Sequence, residues 1–210
     1  MSFQQTAIFP MILLVLLSVT PGCSTPSSTV TTNEIHREAE STGLNPSKTA
    51  QAELQPGLTV TYFLGYFQRD LWYLRHMKSG KFKTVQGKPI LELNHQFAGG
   101  NVFDSGTNRG VALRMTGYLL FPDPGDYALQ ALSNDGILLY LSDKLILSDP
   151  KQHSDRLSSV AHVNINAGGA VPVMIEYFQR KGTAALKLFW KTPGSSEFVP
   201  VPQSAYAHTR

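Results

Sequence analysis

The chain has 210 residues, 42% of them hydrophobic and 16% charged, with a formal net charge of +3. That supplies enough apolar material for one domain of ordinary size plus extra segments, and it excludes a wholly disordered chain. The charge is too mild to argue for nucleic acid, and a single cysteine excludes an intramolecular disulfide, so stability must come from a packed core.

Residues 7–19, AIFPMILLVLLSV, form an apolar run of 13 residues. The run is too short to span a bilayer and right for the hydrophobic region of a signal peptide. Pro21 and Gly22 end it, and Cys23 follows at once. The stretch Ser18-Val19-Thr20-Pro21-Gly22-Cys23 resembles a bacterial lipobox, in which a small residue precedes an acylated cysteine. The n-region MSFQQ lacks the usual Lys or Arg. The resemblance implies cleavage before Cys23, a diacylglyceryl group on its thiol and a further palmitate-like chain on its amine. At about 0.8 kcal/mol per buried CH₂, two or three such chains anchor a protein firmly in a membrane. Ser24, rather than Asp, after the cysteine points to the outer membrane.

Residues 24–55 hold no aromatic residue and few aliphatic ones, with four acidic side chains (Glu34, Glu38, Glu40, Glu53) against two basic ones (Arg37, Lys48). Such a segment buries too little to offset its ordering entropy and reads as a flexible spacer, with a reach of roughly 30 Å as coil. The expected organisation is a signal peptide over 1–22, a lipidated Cys23 with a disordered linker to 55, and a folded module over 56–207.

Within the module, residues 69–88 gather six basic side chains: Arg69, Arg75, Lys78, Lys81, Lys83 and Lys88. A patch of this kind either meets an acidic polymer or anionic headgroups, or keeps a solvated loop soluble. The segment LWYLRHMKSG is compatible with a short helix, and no long amphipathic helix is predicted.

From Gly57 onward the texture changes and a pattern of period two appears. Val111, Leu113 and Met115 share one face, opposite Ala112, Arg114 and Thr116. Tyr127, Leu129 and Ala131 alternate with Ala128, Gln130 and Leu132. ILLYLSDKLIL reads as a hairpin with Ile137, Leu139 and Leu141 inward and Ser142-Asp143-Lys144 at the turn. Val171, Val173, Ile175 and Tyr177 share a face, as do Leu186, Leu188 and Trp190. Pro122-Asp123-Pro124-Gly125, Asn134-Asp135-Gly136, Ala167-Gly168-Gly169 and Thr192-Pro193-Gly194 are the intervening turn signals. Short strands at this spacing predict an all-β antiparallel sandwich or barrel.

The order of these pieces resembles the PA-14 domain family, a carbohydrate-binding type of β-sandwich named from a bacterial toxin protective antigen. Gly57-Leu58 with Tyr62 resembles the opening strand, and Arg114-Met115-Thr116-Gly117-Tyr118-Leu119 resembles the family's R-x-T-G-Y-L strand. Pro124-Gly125-Asp126-Tyr127, Ser133-Asn134-Asp135-Gly136, Asn166-Ala167-Gly168-Gly169 with Glu176-Tyr177-Phe178, and Leu186-Lys187-Leu188-Phe189-Trp190 follow in the family's order. The resemblance implies an antiparallel β-sandwich and a ligand site in which two consecutive Asp residues bind Ca²⁺, which in turn coordinates sugar hydroxyls.

In this chain that pair is Asn134-Asp135, followed by Gly136. An amide oxygen still ligates Ca²⁺, but one negative charge is gone, so affinity should fall. The second binding loop of the family corresponds to residues 179–183, QRKGT, where Arg180 and Lys181 repel a cation. Asn, Asp and Gly in a row are also simply good turn residues. Trp72 and Tyr73 are candidates for stacking on a sugar ring, against the plainer expectation that aromatic residues fill cores.

Catalytic readings find little support. No nucleophile elbow or glycine-rich phosphate loop is present, and the six His residues show no metal-ligand spacing. The expectation is a non-catalytic, lipid-anchored envelope protein that binds a glycan or polysaccharide, with Ca²⁺ as a candidate cofactor. The alternative is a structural lipoprotein that docks another envelope protein.

Overall fold

The computed structural model describes residues 43–47, 53–76, 78 and 80–210. The expected signal peptide, Cys23 and most of the expected linker lie outside the described residues.

The chain is nearly all β. Its strands are β1 (Leu54–Pro56), β2 (Thr59–Leu64), β3 (Lys83–Gln86), β4 (Asn94–Ala98), β5 (Val111–Phe121), β6 (Gly125–Asn134), β7 (Ile137–Leu141), β8 (Lys144–Asp149), β9 (Arg156–Leu157), β10 (Ala161–Ile165), β11 (Gly169–Gln179), β12 (Ala184–Lys191), β13 (Val199–Pro200) and β14 (Tyr206–Thr209). A single α-helical turn among the described residues, α1 (Trp72–Arg75), interrupts them where a short helix is expected, and a 3-10 turn at Gln203–Ala205 precedes β14.

Two antiparallel sheets pack as a sandwich. The larger runs β1-β14-β5-β11-β7-β8, with β2 on the free part of the β5 edge and β3 outside β2. The smaller runs β10-β6-β12-β13, with β4 also on β12 and β9 also on β6. At Gly117 the edge of β5 passes from β2 to β14, and a Cβ there would lie 2.2 Å from the Ala207 carbonyl oxygen. Only glycine allows this approach, which accounts for the Gly in the Arg114–Leu119 motif.

The inner faces match the period-two pattern. Val111, Leu113, Met115, Tyr127, Leu129, Ile137, Leu139, Ile175, Tyr177, Leu186, Leu188 and Trp190 are all buried in one core between the sheets. Phe121, Tyr127 and Trp190 form its aromatic end, with ring centroids 4.8–6.0 Å apart.

Three features depart from the expected pattern. First, all five residues of β7 are buried, not only alternate ones. Their outward side chains, Leu138 and Tyr140, join Ala112 and Phe178 in a second cluster under Tyr66, Leu71 and Leu74. The segment carrying α1 therefore covers part of the outer face of the larger sheet. Second, Asn134-Asp135-Gly136 joins β6 of the smaller sheet to β7 of the larger one, so it is a crossing between sheets and not the tip of a hairpin. Third, residues 43–47 of the expected linker lie against the module. Leu44 is buried in the main core, its N–H donates to the Asn164 carbonyl, and its own carbonyl accepts from the Asn166 N–H. One leucine in a polar stretch is enough to dock the chain when a strand end offers it both an apolar seat and backbone partners.

Candidate functional site

The Asn134-Asp135-Gly136 crossing sits at one end of the sandwich and is pinned to β11. The Asp135 N–H donates to the Phe178 carbonyl at 3.0 Å, and the Phe178 N–H donates to the Gly136 carbonyl at 3.2 Å. The Asn134-Asp135 peptide bond is cis. The buried Tyr177 hydroxyl donates to the Asn134 carbonyl at 2.5 Å. Gly136 allows the neighbouring chain to close in, since a Cβ there would lie 2.5 Å from the Pro150 carbonyl oxygen.

Both polar side chains of the pair are buried, Asn134 at 6% and Asp135 at 2% exposure. The Asn134 amide donates to an Asp155 carboxylate oxygen at 2.7 Å and to the Thr183 hydroxyl at 3.3 Å. Asp135 accepts the Arg180 backbone N–H at 2.7 Å. The two carboxylates of this end have opposite electrostatics. Burial pushes the Asp135 carboxyl above the usual carboxylate range, against hydrogen bonds from the backbone of Arg180 and His153. The amides of Asn134 and Gln96 hold Asp155 below that range.

This set fits Ca²⁺ poorly. The ion takes about six to eight oxygens, and among the described residues no group of three or more His, Cys, Asp or Glu side chains is placed to hold a metal. The Asn134 amide nitrogen donates to the Asp155 carboxylate, so in this arrangement that carboxylate already has a donor partner. Any ion here would draw most of its oxygens from water and ligand.

The exposed rim is aromatic and basic. The segment before α1 reaches this end through backbone bonds: the Leu71 N–H donates to the Pro150 carbonyl, and the Gln152 N–H to the Arg69 carbonyl. Trp72 and Tyr73 are 36% and 56% exposed, so neither is a core residue. Phe67, 54% exposed, joins them and was not singled out by the sequence reading. Its ring lies against Gly110, and its carbonyl accepts the Arg180 Nε–H at 3.2 Å. A signal for it existed. Residues 62–73 contain six aromatic side chains, more than a half-buried strand can hide.

The basic residues of 69–88 do not all go to this rim. Arg75, Lys78 and Lys81 instead line a cleft of about 720 Å³ on the outer face of the larger sheet, together with Arg114 of β5. Below them Glu176 is fully buried and accepts from Arg75 at 3.3 Å and from Arg114 at 2.7 and 3.0 Å. Period-two reading placed Arg114 on the outer face but could not show that Glu176 of β11 stands directly opposite it in register.

The PA14 domain family model matches residues 54–204. The chain belongs to the PA14 domain family. Solved structures agree in fold. The PA14 domain of the MpAFP antifreeze protein is similar at a TM-score of 0.60 and 14% identity, covering 78% of this chain and 96% of that one. The PA14 sugar-binding domain of an RTX adhesin gives 0.57 and 14%, covering 73% and 99%. The epithelial adhesin 6 A domain of Candida glabrata, solved with Galβ1-3GlcNAc, gives 0.62 and 13%, covering 80% and 92%. No curated protein matches this chain.

Proposed function

We propose that this chain is a non-catalytic, lipid-anchored protein of the cell envelope whose PA14 module binds carbohydrate at the loop end around Asn134, Asp135 and Gly136. The observation that carries the reading is the combination at that end. The Asn134-Asp135 crossing meets the 179–183 loop there, and the segment that carries the exposed Phe67, Trp72 and Tyr73 is tied to the same end through backbone bonds, on a fold shared with sugar-bound adhesin domains. Aromatic faces supply contact area for a sugar ring, and the amide, carboxylate and hydroxyl groups of Asn134, Asp155 and Thr183 supply hydrogen-bond partners for its hydroxyls. Ca²⁺ enters only as an aid to binding, in keeping with the sparse donor set. Signal cleavage before Cys23 and its acylation would hold the module at the outer membrane.

Calorimetry with Galβ1-3GlcNAc and related disaccharides, with and without Ca²⁺, tests the site. Binding that disappears in Asp135→Ala and weakens in Trp72→Ala is the expected result. Binding unchanged in Asp135→Ala removes the crossing from the site, and no binding across a broad glycan array removes carbohydrate. Palmitate labelling tests the anchor: Cys23→Ser is expected to lose both the label and the membrane fraction.

A further inference from the structure

We propose that the cleft over the outer face of the larger sheet is a second binding site, for a sugar residue that carries a carboxylate, such as a hexuronic acid. It is separate from the loop end around Asn134 and does not depend on it.

The charge is unbalanced by construction. Arg75, Arg114, Lys78 and Lys81 line the cleft, and Glu176 beneath them is the one carboxylate that ion-pairs with any of them among the described residues. Glu176 has 0% exposure, whereas the Arg75 and Arg114 side chains are 33% and 35% exposed. The carboxylate therefore fixes both guanidinium groups from below, and among the described residues no other side-chain or backbone acceptor takes their remaining N–H groups. Guanidinium groups held in this way are set up for two-pronged recognition of an oxyanion, with little side-chain freedom left to lose on binding.

The walls select what carries the anion. Phe63 and Phe82 flank the cleft, with the Arg114 guanidinium 5.6 Å from the Phe63 ring centre and Lys81 Nζ 5.8 Å from that of Phe82. Arg75 lies 4.1 Å over the Tyr140 ring, which stiffens it further. A bare ion uses only the cations, and a volume of about 720 Å³ is far larger than it needs. That volume falls within the range of small-molecule sites, about 300–1,000 Å³. A ring with an apolar face and one carboxylate uses both the aromatic walls and the cations.

The test is calorimetry and NMR titration of the full chain in detergent micelles with three probes: tri-galacturonate, its methyl ester and inorganic phosphate. Tri-galacturonate is expected to bind, to shift the amide signals of Phe82 and Thr84, and to weaken as NaCl is raised. The methyl ester, identical in body but uncharged, is expected to bind about tenfold less tightly or worse, and so is tri-galacturonate to the double variant Lys78→Glu/Lys81→Glu. Both lysines stand on the exposed rim, so the variant keeps the wild-type melting temperature. Asp135→Ala is expected to leave this binding intact, which separates it from the loop-end site. Equal binding of acid and ester, or unchanged binding in the lysine variant, overturns the proposal. So does phosphate binding as tightly as tri-galacturonate, because the site is then one for a bare anion. Loss of binding in Asp135→Ala alone places the ligand at the loop end and also overturns it.

Discussion

The two faces of strands β5, β7 and β11 follow different rules. The inner face is a wall of Val, Leu, Ile, Met and Tyr with no charge in it. The outer face of the same strands carries Arg114, Glu176 and Tyr140 beside Ala112, Leu138 and Phe178. Inward packing needs only apolar side chains of suitable volume, so many sequences satisfy it. The outward arrangement needs a buried carboxylate with partners from two other segments, because an unpaired charge there costs several kcal/mol. Interchangeable packing on one face and a specific polar network on the other imply that substitutions on the two faces should differ in kind as well as size.

The largest effect is expected inside. Leu139→Ala removes a side chain with 0% exposure from the middle of the core and should cost about 3 kcal/mol, or about 10 °C in melting temperature. The loss should be the same at low and high salt. Arg114→Met is expected to cost about 2 kcal/mol, because Glu176 stays buried with only Arg75 beside it. Thermal melts of both variants across a salt series check the contrast. If Arg114→Met costs nothing, the ion pair over Glu176 is not a structural element, and the two faces are energetically alike.

The same difference explains what could be read from the sequence. The inner-face residues were legible because alternation depends on the chain alone, strand by strand. The turn signals and the ordered motifs from Gly57 to Trp190 gave the sandwich for a related reason: each is local. Glu176 under Arg75 and Arg114 was not legible, because its partners lie 101 and 62 residues away in sequence. Nor was the crossing at Asn134-Asp135-Gly136. Those residues suit a hairpin turn equally well, and only the sheet assignment of β6 and β7 separates the two. The exposure of Trp72 and Tyr73 was not legible either, because it depends on how the α1 segment lies across the sheet.

Leu44 extends the inner core beyond the boundary expected at residue 56. Leu44→Ser should cost about 1–2 kcal/mol, less than Leu139→Ala because Leu44 stands at the core's edge with 7% exposure. Hydrogen exchange at the Asn166 amide, which bonds the Leu44 carbonyl, should speed up in the same variant. An unchanged melt with unchanged exchange would show that residues 43–47 add nothing and that the module starts at β1.

The smallest effects belong to the loop end, where sign matters more than size. The folded-state pKa of Asp135 is raised by burial, so its ionised form is disfavoured in the folded protein. That penalty is absent below the unfolded value of about 3.9 and grows as pH rises through the raised folded value. Asp135→Asn should therefore stabilise the protein by about 2 °C at pH 7, with the gain vanishing in acid. The folded-state pKa of Asp155 is lowered, first by the Asn134 amide and then by Gln96. Its contribution is present above the unfolded value and is lost as pH falls through the lowered folded value, so Asp155→Asn should destabilise at pH 7 and match the wild type in acid. Asp155 is exposed, and solvent screening keeps its effect the smaller of the two. Plotted against pH, the two differences from wild type should open in opposite directions as pH rises from acid. Curves of the same sign would mean that Asn134 does not serve Asp155 as a donor. The amide would then be free to turn its oxygen outward, which is the orientation a Ca²⁺ ion at this crossing requires.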